Sequence, residues 1–315
     1  MWKLIGHRVS QSFVTEYHKV IYLKNNHRET QCLNSAKLRN PQTLKMKDKV
    51  VIITGASSGI GKALAFSFGR EGAKIVITGR KEAPLMEVSK ALSKAKIENF
   101  ALVSDVSIEA DNVEMIEKTI QKYGKIDVLI NNAGISMRSL FADCDLKVIK
   151  SVMDINFWGT VYATKYALPY IKETKGSIVG VSSIAGYRGL PVRTGYSASK
   201  FAVNGFLEAL RTELRHTGVH VLTACPGFTA SNIRVASLGS DGNSKGESMR
   251  DEGNMMSSEE VADRILVAVK NRDRDMILTL QGKAIIWINK LFPKLADKLT
   301  FDTLAKEKDS PLARK

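Results

Sequence analysis

Val50-Val51-Ile52-Ile53 runs without a spacer into Thr54-Gly55-Ala56-Ser57-Ser58-Gly59-Ile60-Gly61, and from there into the helical sequence Lys62 to Glu71. An unbroken run of β-branched residues reads as a strand buried on both faces, the environment of a parallel sheet. Glycines in the turn allow a tight bend and close backbone approach. The helix that follows offers unpaired N–H groups and the positive end of its dipole. Strand, glycine-rich turn and helix together predict a phosphate-binding site of the dinucleotide type.

The same alternation continues along the chain. Strands are expected at Lys74–Gly79, Phe100–Val106, Ile126–Ile130, Gly176–Ser182, Val219–Cys225 and Met276–Leu280. Helical stretches fall between them at 82–96, 109–123, 145–170, 197–216 and from Ser257-Ser258, a serine cap with acids in its first turn, to Asn271. Strands alternating with helices at this spacing imply right-handed βαβ units, and so an α/β fold with a doubly wound parallel sheet of Rossmann type covered on both faces. One such domain is expected over 46–280. Residues 1–45 form a basic extension, and Met46-Lys47-Asp48-Lys49 reads as a start immediately before the first strand. A second extension covers 281–315.

The formal charge of +15 would fit a nucleic-acid binder, but its distribution argues against one. Residues 1–49 hold ten Lys and Arg against three Asp and Glu, residues 270–315 hold eleven against six, and the middle carries 26 against 23. The positive charge belongs to the tails, and no nucleic-acid partner is expected. Cys32, Cys144 and Cys225 are widely spaced and have no histidine cluster, which predicts no disulfide framework, no metal site and a reducing, cytoplasmic compartment. No run approaches the ~18 apolar residues of a membrane-spanning helix.

The chemistry concentrates in Tyr196-Ser-Ala-Ser-Lys200. Residues four apart share a helix face, so the phenol and the ammonium can point into one cleft. A free tyrosine has a pKa of about 10, and a neighbouring cation lowers it by favouring the phenolate. Tyr196 could then exchange a proton with an alcohol or a ketone. At the end of the second strand, where an acidic residue would hydrogen-bond the ribose diol of NAD, the chain has Gly79, Arg80 and Lys81. A guanidinium fork there suits a 2′-phosphate, so NADP(H) is expected in preference to NAD. Asp105 after the third strand either caps the next turn or reaches the adenine amino group.

Taken in order, Thr54-Gly55 to Gly61, Asp105-Val106, Asn131-Asn132-Ala133-Gly134, Asn156, Ser183, Tyr196 with Lys200, and Pro226-Gly227 resemble the single-domain short-chain dehydrogenase/reductases. The resemblance spans about Lys47 to Asn271. It implies a cofactor site at Gly55, Ser57, Ser58, Gly59, Ile60, Gly61, Asp105, Val106, Asn132, Ala133, Gly134, Pro226 and Gly227, together with Tyr196 and Lys200. It also implies four catalytic side chains: Tyr196 as proton donor, Ser183, thirteen residues before it, orienting the substrate oxygen, Lys200 binding the nicotinamide ribose, and Asn156 holding a water in a proton relay. Family members often carry threonine five residues after the proline; this chain has Ser231 there and Thr229 nearby, so which hydroxyl meets the carboxamide stays open. Homodimers or homotetramers through the helices of Asn156 and Tyr196 are implied as well.

Residues 232–256, rich in Gly, Ser, Asn and charge, are expected to form a substrate lid. In the C-terminal extension, Ile285, Ile286, Ile288, Leu291, Phe292, Leu295 and Leu299 surround Trp287, with Lys290, Lys294 and Lys298 spaced four apart. Pro293 divides this stretch into two helices. Such a face suits a membrane surface, a hydrophobic partner, or packing on the chain's own domain, and the tail resembles that of the 11-beta-hydroxysteroid dehydrogenase branch. The expected activity is NADP(H)-dependent hydride transfer to or from a small ketone or secondary alcohol, lipid-like or steroid-like. The competing reading is a dinucleotide-binding regulatory or scaffold protein without turnover.

Overall fold

The computed structural model describes residues 44–227, 229, 233, 236–244, 255–307 and 309–313. Nearly all of the N-terminal extension, much of the expected lid and Ser231 lie outside the described residues.

Each strand of the sheet sends alternate residues into two different cores. Along β1 (Val50–Ile53), Val51 and Ile53 join one cluster while Val50 and Ile52 join another. The first cluster is closed by α1 (Gly59–Arg70), α2 (Glu82–Lys94) and α7 (Ser258–Asn271), through Leu64, Phe68, Leu85, Leu92 and Ile265. The second is closed by α3 (Glu109–Tyr123), α5 (Gly159–Thr174) and α6 (Thr194–Glu213), through Met115, Ala163, Ile171, Val203 and Leu207. Burial on both faces is why the strands read as continuous apolar runs rather than alternating ones.

Seven strands pair in the order β3-β2-β1-β4-β5-β6-β7, every pair parallel: β2 (Lys74–Gly79), β3 (Asn99–Val103), β4 (Val128–Asn131), β5 (Ser177–Val181), β6 (His220–Cys225) and β7 (Asp275–Ile277) complete the sheet. The order reverses direction between β1 and β4, and a crevice opens there beyond the strand ends. The doubly wound sheet with helices on both faces is as expected.

One expected helix differs. Residues 145–170 form α4 (Leu146–Met153), a π-helical turn at Asp154–Trp158 and then α5. The wider turn takes in Asn156, and π-bulges of this kind occur frequently at functional sites. Beyond the sheet, Pro293 does divide the tail, giving α8 (Leu280–Leu291) and α9 (Pro293–Ala305). Among the described residues no helix is long and apolar enough to cross a membrane.

Candidate active site

The crevice at the sheet's reversal is a cleft of about 610 Å³. Its floor depends on how β1 and β4 end. The Thr54 hydroxyl accepts hydrogen bonds from the Asn132 and Ala133 amides at 3.1 and 3.0 Å, and the Asn132 side-chain amide donates to the Thr54 and Gly55 carbonyls at 2.9 and 3.2 Å. Asn132 therefore acts first as a clamp on the glycine turn. Gly55 sits at φ +65°, and a Cβ there would lie 2.7 Å from the Ala133 Cα. A Cβ on Gly61 would lie 2.4 Å from the Gly55 carbonyl oxygen. Only glycine fits both places. Ser58 precedes α1 without a side-chain cap, and the first turn has no acidic residue, so that helix end offers its N–H groups to an anion. A dinucleotide pyrophosphate fits this cradle.

Ser57, Ser58, Gly59 and Ile60 line the same cleft, as do Arg80 and Lys81 at the adenosine end. Arg80 is half exposed and stands 3.9 Å from Asp105. Asp105 turns out to be a cap: one carboxylate oxygen accepts from the Ser107 amide at 3.0 Å and the Ser107 hydroxyl at 2.7 Å. Its neighbours Ser104 and Val106 face the cleft. Pro226, Gly227 and Thr229 line the far wall, where the Thr229 hydroxyl donates to the Gly227 carbonyl at 3.2 Å. Ser231 falls outside the described residues.

At the other end the Tyr196 and Lys200 side chains come together on α6. The Lys200 ammonium is 5.8 Å from the Tyr196 ring centre and donates to the Val181 carbonyl at 2.9 Å. Gly134 lies beside it: a Cβ on this residue would be 3.6 Å from the Lys200 nitrogen and 3.2 Å from the Asn156 Oδ1. Asn156 is buried behind the cleft wall, accepting from the Ile135 amide at 2.8 Å and donating to the Ile135 carbonyl at 3.0 Å and the Ser199 hydroxyl at 2.9 Å. Ser199 in turn donates to the Tyr196 carbonyl at 2.8 Å. Asn156 thus ties the loop after β4 to the tyrosine helix. Ser199 was readable in sequence only as a spacer between Tyr196 and Lys200.

Ser182 and Ser183 part company at the end of β5. Ser182 is buried, whereas Ser183 is partly exposed in the cleft with its hydroxyl accepting from the Ala185 amide at 3.2 Å. That bond leaves the Ser183 hydroxyl proton available to a ligand oxygen. Cys225 is fully buried, and burial pushes its thiol up to about 12, which makes it core rather than chemistry. Three charged residues of this cleft carried no sequence signal: Arg138, Arg193 and Glu307.

Burial also pulls Lys200 down to about 8, with the nearby Cys225 acting in the opposite sense. A lysine whose folded pKa lies below its unfolded value destabilises the fold while protonated. Between about 8 and 10.5 the unfolded chain holds more protons, and stability from this group rises with pH. Lys200→Met should therefore raise the Tm of the cofactor-free protein at neutral pH, and the gain should fade as pH climbs through that window. Calorimetry across the window checks it; a gain independent of pH would refute the assignment.

The model of the short chain dehydrogenase family matches residues 49–239. A Dictyostelium discoideum protein named Dehydrogenase/reductase SDR family protein 7-like is 34% identical over 271 residues, 84% of each chain. An Arabidopsis thaliana protein named 11-beta-hydroxysteroid dehydrogenase-like 4A is 42% identical over 186 residues, 58% of this chain and 62% of that one. Among solved structures, a short chain dehydrogenase/reductase from Burkholderia phymatum in complex with NAD superposes with a TM-score of 0.72 at 23% identity, covering 80% of this chain and 96% of that one. An alcohol dehydrogenase from Thermococcus sibiricus complexed with 5-hydroxy-NADP gives 0.65 at 22% identity, covering 74% and 96%. These two share the fold. With the family model over more than half of the chain and close relatives along most of its length, the chain belongs to the short-chain dehydrogenase family of oxidoreductases.

Proposed function

We propose that the chain is an NADP(H)-dependent oxidoreductase acting on a ketone or secondary alcohol, and that Tyr196, Lys200, Ser183 and Asn156 carry the chemistry. The observation that carries this reading is the convergence of Tyr196, Lys200 and Ser183 on one cleft that also contains the anion cradle at Gly55–Gly61. The cofactor, when bound, supplies or accepts the hydride. Tyr196 gives its phenolic proton to the substrate oxygen in reduction and takes one in oxidation. Lys200, protonated at neutral pH, favours the phenolate from its place beside the ring and is positioned to bind the nicotinamide ribose. Ser183 donates to the substrate oxygen and steadies its developing charge. Asn156 holds the loop after β4 against α6 and serves proton resupply through water.

Tyr196→Phe should lower kcat by about 10²–10⁴-fold while NADPH binding, followed by fluorescence, stays within error. Retained turnover would leave the non-catalytic binding protein as the better account.

Arg80 supports the choice of NADP(H): it lines the cleft beyond β2, with its only described ion pair a long one to Asp105. Arg80→Ala should weaken NADPH binding about tenfold or more, the loss of a charge-assisted phosphate contact, and leave NADH binding nearly unchanged. Equal losses for both cofactors would remove the 2′-phosphate argument.

A lipid-like or steroid-like substrate is supported by the apolar lining at Ile155, Val181 and Leu190, and by the name of the Arabidopsis relative. Two outer faces support assembly. Trp158 and Phe201 protrude from the paired helices of Asn156 and Tyr196, the face for contact between copies in a dimer or tetramer. On the tail, Trp287, Leu291 and Phe292 are each more than 60% exposed beside Lys290 and Lys294, a face suited to peripheral contact with a membrane surface. Light scattering should give a multiple of the chain mass, and co-sedimentation with phosphatidylserine vesicles should fall on Trp287→Ser. A monomer that ignores vesicles would discard both contacts.

A further inference from the structure

Glu307 follows α9 near the end of the chain, yet its side chain is only 3% exposed and lines the same cleft as Tyr196 and Ser183. Its carboxylate meets two guanidiniums from separate parts of the body. Arg193 donates to it at 3.0 Å from the residue that opens α6, three positions before Tyr196. Arg138, 6% exposed, stands 3.6 Å away on the loop after β4. That loop is itself pinned. The Arg138 amide donates to the Leu238 carbonyl at 2.8 Å, and the Ser139 amide to the Val192 carbonyl at 2.9 Å.

The rest of the tail reaches Glu307 across the body surface. Arg188, just past Ser183, donates to Asn289 at 2.8 Å and Asp297 at 2.5 Å, and the Asn289 amide donates to the Tyr187 carbonyl at 3.3 Å. Those contacts are at the rim, where screening makes ion pairs weak. The Glu307 contacts are buried, where a single missing charge is costly because it strands its partners in low dielectric. With Glu307 withdrawn, Arg138 and Arg193 would face each other without it. The tail end therefore has two distinct arrangements rather than a continuum: seated with its carboxylate between the two arginines, or released.

We infer that Glu307 is a latch that holds the C-terminal segment over the substrate end of the cleft, so that the tail, and not only the loop 232–256, decides what reaches Tyr196. The inference rests on reading this cleft as the cofactor and substrate site. Nothing in the hydride chemistry requires Glu307; its place is at the entrance and its action is through Arg193 and Arg138.

Hydrogen exchange and quenching of bound NADPH fluorescence by acrylamide, both on the full-length protein, test the latch. Glu307→Gln should speed amide exchange over 300–310 by about tenfold and raise the quenching constant of the bound nicotinamide. Exchange along α6 and the affinity for NADPH should stay as they were. Glu307→Asp, which keeps the charge on a shorter stem, should fall between, and it serves if the glutamine variant fails to fold. Faster exchange with unchanged quenching would make Glu307 an anchor away from the entrance and overturn the proposal, as would unchanged exchange. Failure of the unaltered protein to bind NADPH would instead sink the reading of the cleft, while exchange over 300–310 would still decide whether Glu307 holds the tail.

Discussion

The Thr54 hydroxyl, wedged between the ends of β1 and β4, holds together the two halves between which a ligand must lie. It accepts from two successive amides, and Asn132 reaches back to two carbonyls in return. Each such bond contributes only about 0.5–1.5 kcal/mol net, so the clamp matters less for global stability than for geometry. Without it the Gly55 turn and the Gly134 segment would be free to separate, and everything on the cleft floor is positioned from them. Gly134 is where Asn156 and Lys200 approach the floor most closely. The glycine turn sets the cofactor's phosphates, and through Gly134 the same clamp sets the distance from those phosphates to the tyrosine helix.

The site is assembled at a cost to the fold. An ammonium is held in the interior by one carbonyl, a carboxamide is tied to loop backbone, and two guanidiniums share a buried carboxylate. Burial of charge is expensive unless every partner is present. A chain selected for stability alone would fill these positions with apolar side chains. What offsets the cost is the continuous burial of β1, β2 and β4 to β6 on both faces, a core large enough to carry several such defects near its edge.

Much of the fold was legible because parallel strands buried on two sides leave a signal no other element leaves: short β-branched runs at regular intervals. The α3 helix is as expected to the residue, and the division of the tail follows from Pro293. The π turn at Asn156 was not legible, since its cause is the pull of the side chain on the Ile135 backbone, a contact between residues 21 apart that no local period encodes. Asp105 shows the reverse limit. Both of its readings were chemically sound in sequence, and only the position of Ser107 chose the cap. Ser182 and Ser183 were separated by spacing from Tyr196, and their burial differs in the same sense.

Arg138, Arg193 and Glu307 mark the deeper limit, because charge alone pointed away from them. In sequence the tail is one of two basic ends, and its lysines and aromatics draw attention outward. The residue that reaches the cleft is an acid lying among lysines at 306 and 308. A carboxylate so placed would ordinarily be solvated by its neighbours and by water. It is buried instead because α8 and α9 lay Ile286, Ala296 and Leu304 against the body, and that apolar seating carries the chain end inward to where two arginines already stand. The apolar face decides where the tail goes, and the charge decides how firmly its end is held. An element docked in this way can release its tip without leaving the body, which is the property an entrance to a water-excluding site needs.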